Sequence, residues 1–167
     1  MAMHMKRTSA PLARYLAIAY ALLVAYASLH PLTGWRDNGV PVFDYLGAAW
    51  QRYYTGFDLA ANILAYLRLG FLLVPALQGR LGIAAAALIA ALAGGGLGFV
   101  LETLQNFLPS RVPSNIDLAC NAIGAMIGAA AGMNWGRALT DGGHLHRLRT
   151  RLAVDGPAAD FGLVLLG

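Results

Sequence analysis

The stretch 98–128, GFVLETLQNFLPSRVPSNIDLACNAIGAMIG, decides the fold. Two apolar runs flank a short turn bracketed by Pro109 and Pro113. Runs of this kind read as helices, and Pro closes helices or opens turns. Yet the stretch also holds Glu102, Gln105, Arg111, Asp117 and Asn121. Ionisable and amide groups are costly in apolar surroundings unless they are paired, capped or functional. The question for the rest of the chain is what brings these groups together.

Working outward, 58% of the 167 residues are hydrophobic and 12% are charged. Soluble domains carry about 25% charged residues, so the composition points to an integral α-helical membrane protein. The net charge of +4 does not point to nucleic acid, because the basic residues are scattered around the ends of apolar runs. That is the pattern of membrane topology. Cys120 is the only cysteine, which excludes an internal disulfide and a Cys-based zinc or redox motif. Neither a metal nor a cofactor is expected.

Four spans follow. Residues 15–29, counted from about Leu12, approach the ~20 residues that cross the hydrocarbon layer. Ala25-Tyr26-Ala27 resembles a signal-peptidase site after a basic segment, but further spans follow and an uncleaved first span is expected. Residues 31–57 form the longest polar connection. Within it, Val42, Leu46, Trp50 and Tyr53 fall at near-helical spacing, which fits a short helix in the membrane interface or a surface loop. Trp35, Trp50, Tyr53 and Tyr54 suit an aromatic belt. Span two covers 58–77, and Gln78-Gly79-Arg80 is the expected turn. Span three covers 81–108, the next turn 109–113, and span four 116–135. The expected fold is a four-transmembrane-helix bundle. The domain plan is a membrane domain over 1–136, a basic segment over 137–158 and a short apolar tail over 159–167. That tail either starts a further helix or is loosely attached. An N-terminus on the cytoplasmic side puts eight basic residues inside and only Arg36, Arg52 and Arg111 outside. The 109–113 turn and the starts of spans two and four then face outward.

Three polar pairs share a depth. Asp58 and Asn62 are four residues apart, Glu102 and Gln105 three apart, and Asp117 and Asn121 four apart, so each pair occupies one helix face. Gly94 and Gly98 extend the Glu102 stripe, and Gly124 and Gly128 extend the Asp117 stripe. Small residues at this spacing allow close helix approach. Thr55-x-x-Asp58 and Ser114-x-x-Asp117 both fit capping boxes, so each aspartate has a purely structural reading beside the functional one. Glu102 has no capping role. It is a functional group, the partner of an ion pair with Arg111, or a hydrogen-bonded protonated acid. Arg111 is either a helix-end anchor or a clamp for phosphate or carboxylate. Arg68 lies near the middle of span two with no acid at its depth, and either snorkels or faces a polar cavity.

Together, Asp58-x3-Asn62 with Gly70, Glu102-x2-Gln105 with Phe107, and Pro109-x-Arg111-x2-Ser114-x2-Asp117-x3-Asn121-x2-Gly124 resemble the VanZ-like family, and Tyr26 with Pro31 fits as well. The resemblance covers about residues 15–135. It departs at Arg68, where the family commonly has proline, which removes the basis for a kink there. It implies a small multi-pass protein of the bacterial cytoplasmic membrane, in a family named after a member linked to teicoplanin resistance. Asp58, Asn62, Glu102, Gln105, Arg111, Ser114, Asp117 and Asn121 are the candidate ligand-binding residues. Three functions stand open. One is binding of an anionic, lipid-linked envelope molecule such as a polyprenyl-linked precursor, with Arg111 on the phosphate. Another is a membrane enzyme using Glu102 or Asp117 as general acid or base. The third is a small transporter with Glu102 as proton relay. There is no His pair, serine nucleophile motif or phosphate-cradling glycine loop, which favours binding.

Overall fold

The structure, a computed structural model, describes residues 11–49 and 55–140. It contains α1 (Pro11–Leu29), α2 (Asp44–Gly47), α3 (Gly56–Leu81), α4 (Ile83–Gln105) and α5 (Asn115–Thr140). The chain divides into two compact units. Met1–Met133 holds the helical bundle, and the described part of Asn134–Gly167 is the end of α5. Among the described residues four helices are long and apolar enough to cross a membrane, over Leu12–Leu29, Gly56–Gly79, Ile83–Gln105 and Asn115–Trp135. Many of their large apolar side chains point outward, among them Leu16, Leu22, Leu88, Leu92 and Ile127. Outward apolar faces on a bundle this hydrophobic are what lipid contact requires. The chain is a multi-pass membrane protein with four candidate spans.

Small residues set the packing. A Cβ built on Gly124 or Gly128 would strike the carbonyl oxygen of Ile63 or Leu67, and one on Gly132 would come within 2.9 Å of the Phe71 carbonyl. These three glycines recur every four residues, and so do their partners on α3, so one stripe of α5 lies directly on the α3 backbone. Ala125, fully buried, fits between Gly70 of α3 and Gly94 of α4. Gly98 faces Asn121. The expected stripe is thereby corrected. Asp117 and Asn121 continue through Ala125, whereas Gly124 and Gly128 turn to α3 rather than α4. The reason is helical geometry: residues three apart are ~60° away from each other around the helix, enough to face a different neighbour. α1 packs on α3 and α4. It adds Val24 to a core with Tyr66, Leu69, Leu101 and Ala125. Towards the other end, Val74, Ala86, Ala87, Ala90 and Ala129 form a second core.

Two connections differ from expectation. Helix α3 continues through Gln78-Gly79-Arg80, and the turn is the single residue Gly82 at φ +75°. Only a residue without Cβ takes that conformation at no cost, so one glycine suffices to reverse the chain. Helix α4 ends at Gln105 rather than near 108. Asn106, Phe107 and Leu108 then bond successively to the carbonyls of Thr103, Leu104 and Gln105, which tightens the last turn. The expected short helix between α1 and α3 is present; it is one turn long, and its buried residue is Tyr45. Leu46 of the expected stripe is exposed. Trp50, Tyr53 and Tyr54 lie outside the described residues, as do the basic residues beyond Arg137 and the apolar tail.

Candidate functional site

The site lies where the C-terminal ends of α1 and α4 meet the N-terminal ends of α3 and α5. Ser114 is the N-cap of α5. Its hydroxyl oxygen accepts from the backbone N–H groups of Ile116 (3.2 Å) and Asp117 (3.3 Å). In a capping box the third helical residue returns a carboxylate to the cap's own N–H. Here Glu102, from α4, does so: its Oε2 accepts from the Ser114 N–H at 2.9 Å. Asp117 bonds elsewhere, accepting from Asn62 Nδ2 at 2.9 Å. One exchange thus ties α4 to α5, and α5 to α3. Glu102 stands one turn from the end of α4, shallower than a helix to residue 108 implied. It is nonetheless 4% exposed, because the 106–114 connection folds back over it.

At the start of α3 the other capping box is complete. Thr55 Oγ1 accepts from the Asp58 N–H at 3.2 Å, and Asp58 Oδ2 accepts from the Thr55 N–H at 3.3 Å. Asp58 therefore caps its helix while remaining exposed at the rim of the site.

Arg111 anchors the end of a neighbouring helix. Its Nε donates to the His30 carbonyl and its Nη2 to the Ala27 carbonyl, both at 3.0 Å. Gln105 Nε2 donates to the Ser28 carbonyl at 3.0 Å. The last carbonyls of a helix have no intrahelical donor and carry partial negative charge, so a guanidinium and an amide are suited to that end. Arg111 makes no ion pair with Glu102, whose partner is the Ser114 backbone. Two of the five guanidinium N–H groups are engaged. Arg111 also lines a cavity.

That cavity has a volume of about 690 Å³. Asp58, Asn62, Glu102, Gln105, Arg111, Asp117 and Asn121 all line it. Ser114 does not; it holds the floor from behind through its cap. Among the described residues the charged lining is three carboxylates against one guanidinium. Among the described residues no group of three or more His, Cys, Asp or Glu side chains is placed to hold a metal. The apolar wall comes from α1, with Leu23, Val24 and Ala27. Sequence reasoning missed that wall, since nothing distinguishes these residues from lipid-facing ones. It also missed Tyr66, which lines the cavity and is 2% exposed. A signal existed: Tyr66 continues the four-residue stripe of Asp58 and Asn62. Arg68 is exposed and does not line this cavity.

The buried floor holds two polar groups without a partner in the protein, the Tyr66 hydroxyl and Asn121 Oδ1. Buried polar groups normally find a hydrogen bond.

The VanZ/LLP1 family matches residues 8–135, which include every helix that lines the cavity. No curated protein and no solved structure matches the chain. With more than half of its length matched, the chain belongs to the VanZ/LLP1 family.

Proposed function

We propose that the protein binds an anionic, lipid-linked cell-envelope molecule in this cavity, from the outer leaflet of the bacterial cytoplasmic membrane. The observation that carries the proposal is the composition of the lining. One cation, Arg111, stands with acids and amides on one side and an apolar helix on the other. An amphiphile needs both kinds of wall, and pockets that fix a ligand combine apolar surface with a few convergent polar groups. Arg111 takes the phosphate through its remaining N–H groups, and α1 takes the first part of the lipid chain. A second reading is a membrane enzyme on such a lipid, favoured by Glu102 and Asp117 lining one cavity from two helices.

The test is to extract lipids from the purified protein and identify them by mass spectrometry. A polyprenyl phosphate or its glycosylated form, enriched over bulk membrane and lost from Arg111→Gln, supports binding. Recovery of bulk phospholipid alone contradicts it, and conversion of the added lipid by wild type but not Glu102→Gln favours the enzyme. The outward orientation rests on the basic residues. Ser110 lines the cavity and is exposed. In a Cys120→Ala background, Ser110→Cys should react with an impermeant thiol reagent in intact cells; reaction only after lysis reverses the topology. The link to teicoplanin resistance follows the family, and a deletion strain with unchanged teicoplanin susceptibility contradicts it.

A further inference from the structure

The floor and the rim of the cavity differ in what they can bond. Among the described residues Arg111 is the only cationic liner, and it is tied to the end of α1. The floor is made by Glu102, Tyr66 and Asn121, which are 4%, 2% and 3% exposed. Two of these side chains converge on one α4 glycine. A Cβ at Gly98 would lie 3.0 Å from Asn121 Cβ and 3.4 Å from a ring carbon of Tyr66. Gly98 stands one helical turn from Glu102 on the same face. So a carboxylate, a phenol and an amide gather at one level, and the phenol oxygen and the amide oxygen have no partner in the protein.

The chemistry of that set excludes most headgroups. A phosphate would meet the Glu102 and Asp117 carboxylates with no cation beside it, and like charges in a site of low polarity repel strongly. An ammonium could donate to Glu102 and to the Asn121 oxygen, but it has no acceptor for the Asn121 N–H groups or the Tyr66 hydroxyl hydrogen. A hydroxyl both donates and accepts. Several hydroxyls on a rigid ring would serve the carboxylate, the amide and the phenol at once.

We infer that the cavity floor is a subsite for a sugar, so that the ligand is a glycosylated lipid held with its phosphate at Arg111 and a hydroxyl-bearing ring against Tyr66, Asn121 and Glu102. This presupposes the ligand-binding role proposed above and adds the class of headgroup.

The probes are simple amphiphiles with one chain length and three headgroups: octyl glucoside, octylamine and octyl phosphate. Each is added to the full chain purified in a polyoxyethylene detergent, which has no sugar. The readout is the rise in Tm, because a ligand that binds only the folded state raises it in a saturable way. The proteins are wild type, Tyr66→Phe and Arg111→Gln. Removing a buried hydroxyl that has no protein partner leaves stability unchanged or improved. Tyr66→Phe without additive should therefore match wild type or exceed it. Octyl glucoside should raise the Tm of wild type and of Arg111→Gln, while Tyr66→Phe should need about fivefold to tenfold more for half the effect, the loss of one hydrogen bond. A lowered Tm of Tyr66→Phe without additive overturns the inference, because the hydroxyl then has a structural role. So does the absence of a saturable glucoside effect, an equal midpoint in Tyr66→Phe, or stabilisation by octylamine in place of the glucoside. A rise with octyl phosphate that depends on Arg111, without a glucoside effect, leaves the phosphate-binding function standing and removes the sugar subsite. The reverse pattern keeps the sugar subsite and removes the phosphate.

Discussion

The two ends of α5 obey the same four-residue period and do opposite things with it. From Gly124 to Gly132 the repeat places no side chain at all against α3, and backbone rests on backbone. From Asp117 to Asn121 the repeat places polar side chains at the contact, and a cavity of about 690 Å³ remains between the helices. The closely packed half sets the helix positions. Ala125, wedged between Gly70 and Gly94, is where one regime passes into the other. Without a large hydrophobic drive between helices in lipid, such packing supplies much of the association. The polar half can then hold groups that would not assemble by themselves, because their positions are fixed from below.

Substitutions sharpen this contrast. The largest loss is expected at Gly128, where a methyl group would meet the Leu67 backbone, which cannot yield as a side chain does. Gly128→Ala should cost about 3 kcal/mol, the upper part of the overpacking range, read as a fall in Tm and folded yield. Next is Glu102→Leu, which leaves the buried Ser114 N–H without its acceptor. It should cost about 1–3 kcal/mol, whereas Glu102→Gln keeps a carbonyl oxygen there and should stay near wild type. Arg111→Gln loses the bonds to the end of α1 and should cost about 1 kcal/mol. Combined with Glu102→Gln, its effect should add within about 0.5 kcal/mol, as for residues with no shared contact. A larger coupling in that double-mutant cycle would reveal an ion pair. The smallest effect is Gly96→Ala. Nothing lies within 4 Å of the added Cβ, so a gain of up to about 1 kcal/mol from helix propensity is expected. A loss as large as that of Gly128→Ala would erase the distinction between packed and open faces.

The sequence made the spans legible because length and hydropathy are summed over many residues. The meeting of Glu102, Asp117 and Asn121 was legible for a similar reason: residues at helical spacing on neighbouring spans must share a depth. What the side chains bond to was not. Arg111 and Gln105 donate to backbone carbonyls in the last turn of α1 and just past it, about 80 residues away, and a backbone acceptor leaves no trace in residue type. The exchange at Ser114 is similar. Ser114-x-x-Asp117 reads as a local capping box, but Glu102 occupies the N–H of the cap. The ends of helices were the least legible part, because Gly82 alone makes a turn that Gln78-Gly79-Arg80 seemed better suited to make.

The central claim is that the polar end of the bundle holds a ligand and is not merely architecture. Native mass spectrometry of the protein released from membrane patches, wild type beside Glu102→Gln, tests it most directly, with Tm measured on the same samples. The expected result is a bound amphiphile on wild type that is absent from Glu102→Gln, with the two proteins equal in Tm once the amphiphile has been stripped from wild type. An unliganded wild type, or a Glu102→Gln protein that unfolds early and regains stability in the Glu102→Gln/Arg111→Gln double variant, would contradict the claim and make the site structural.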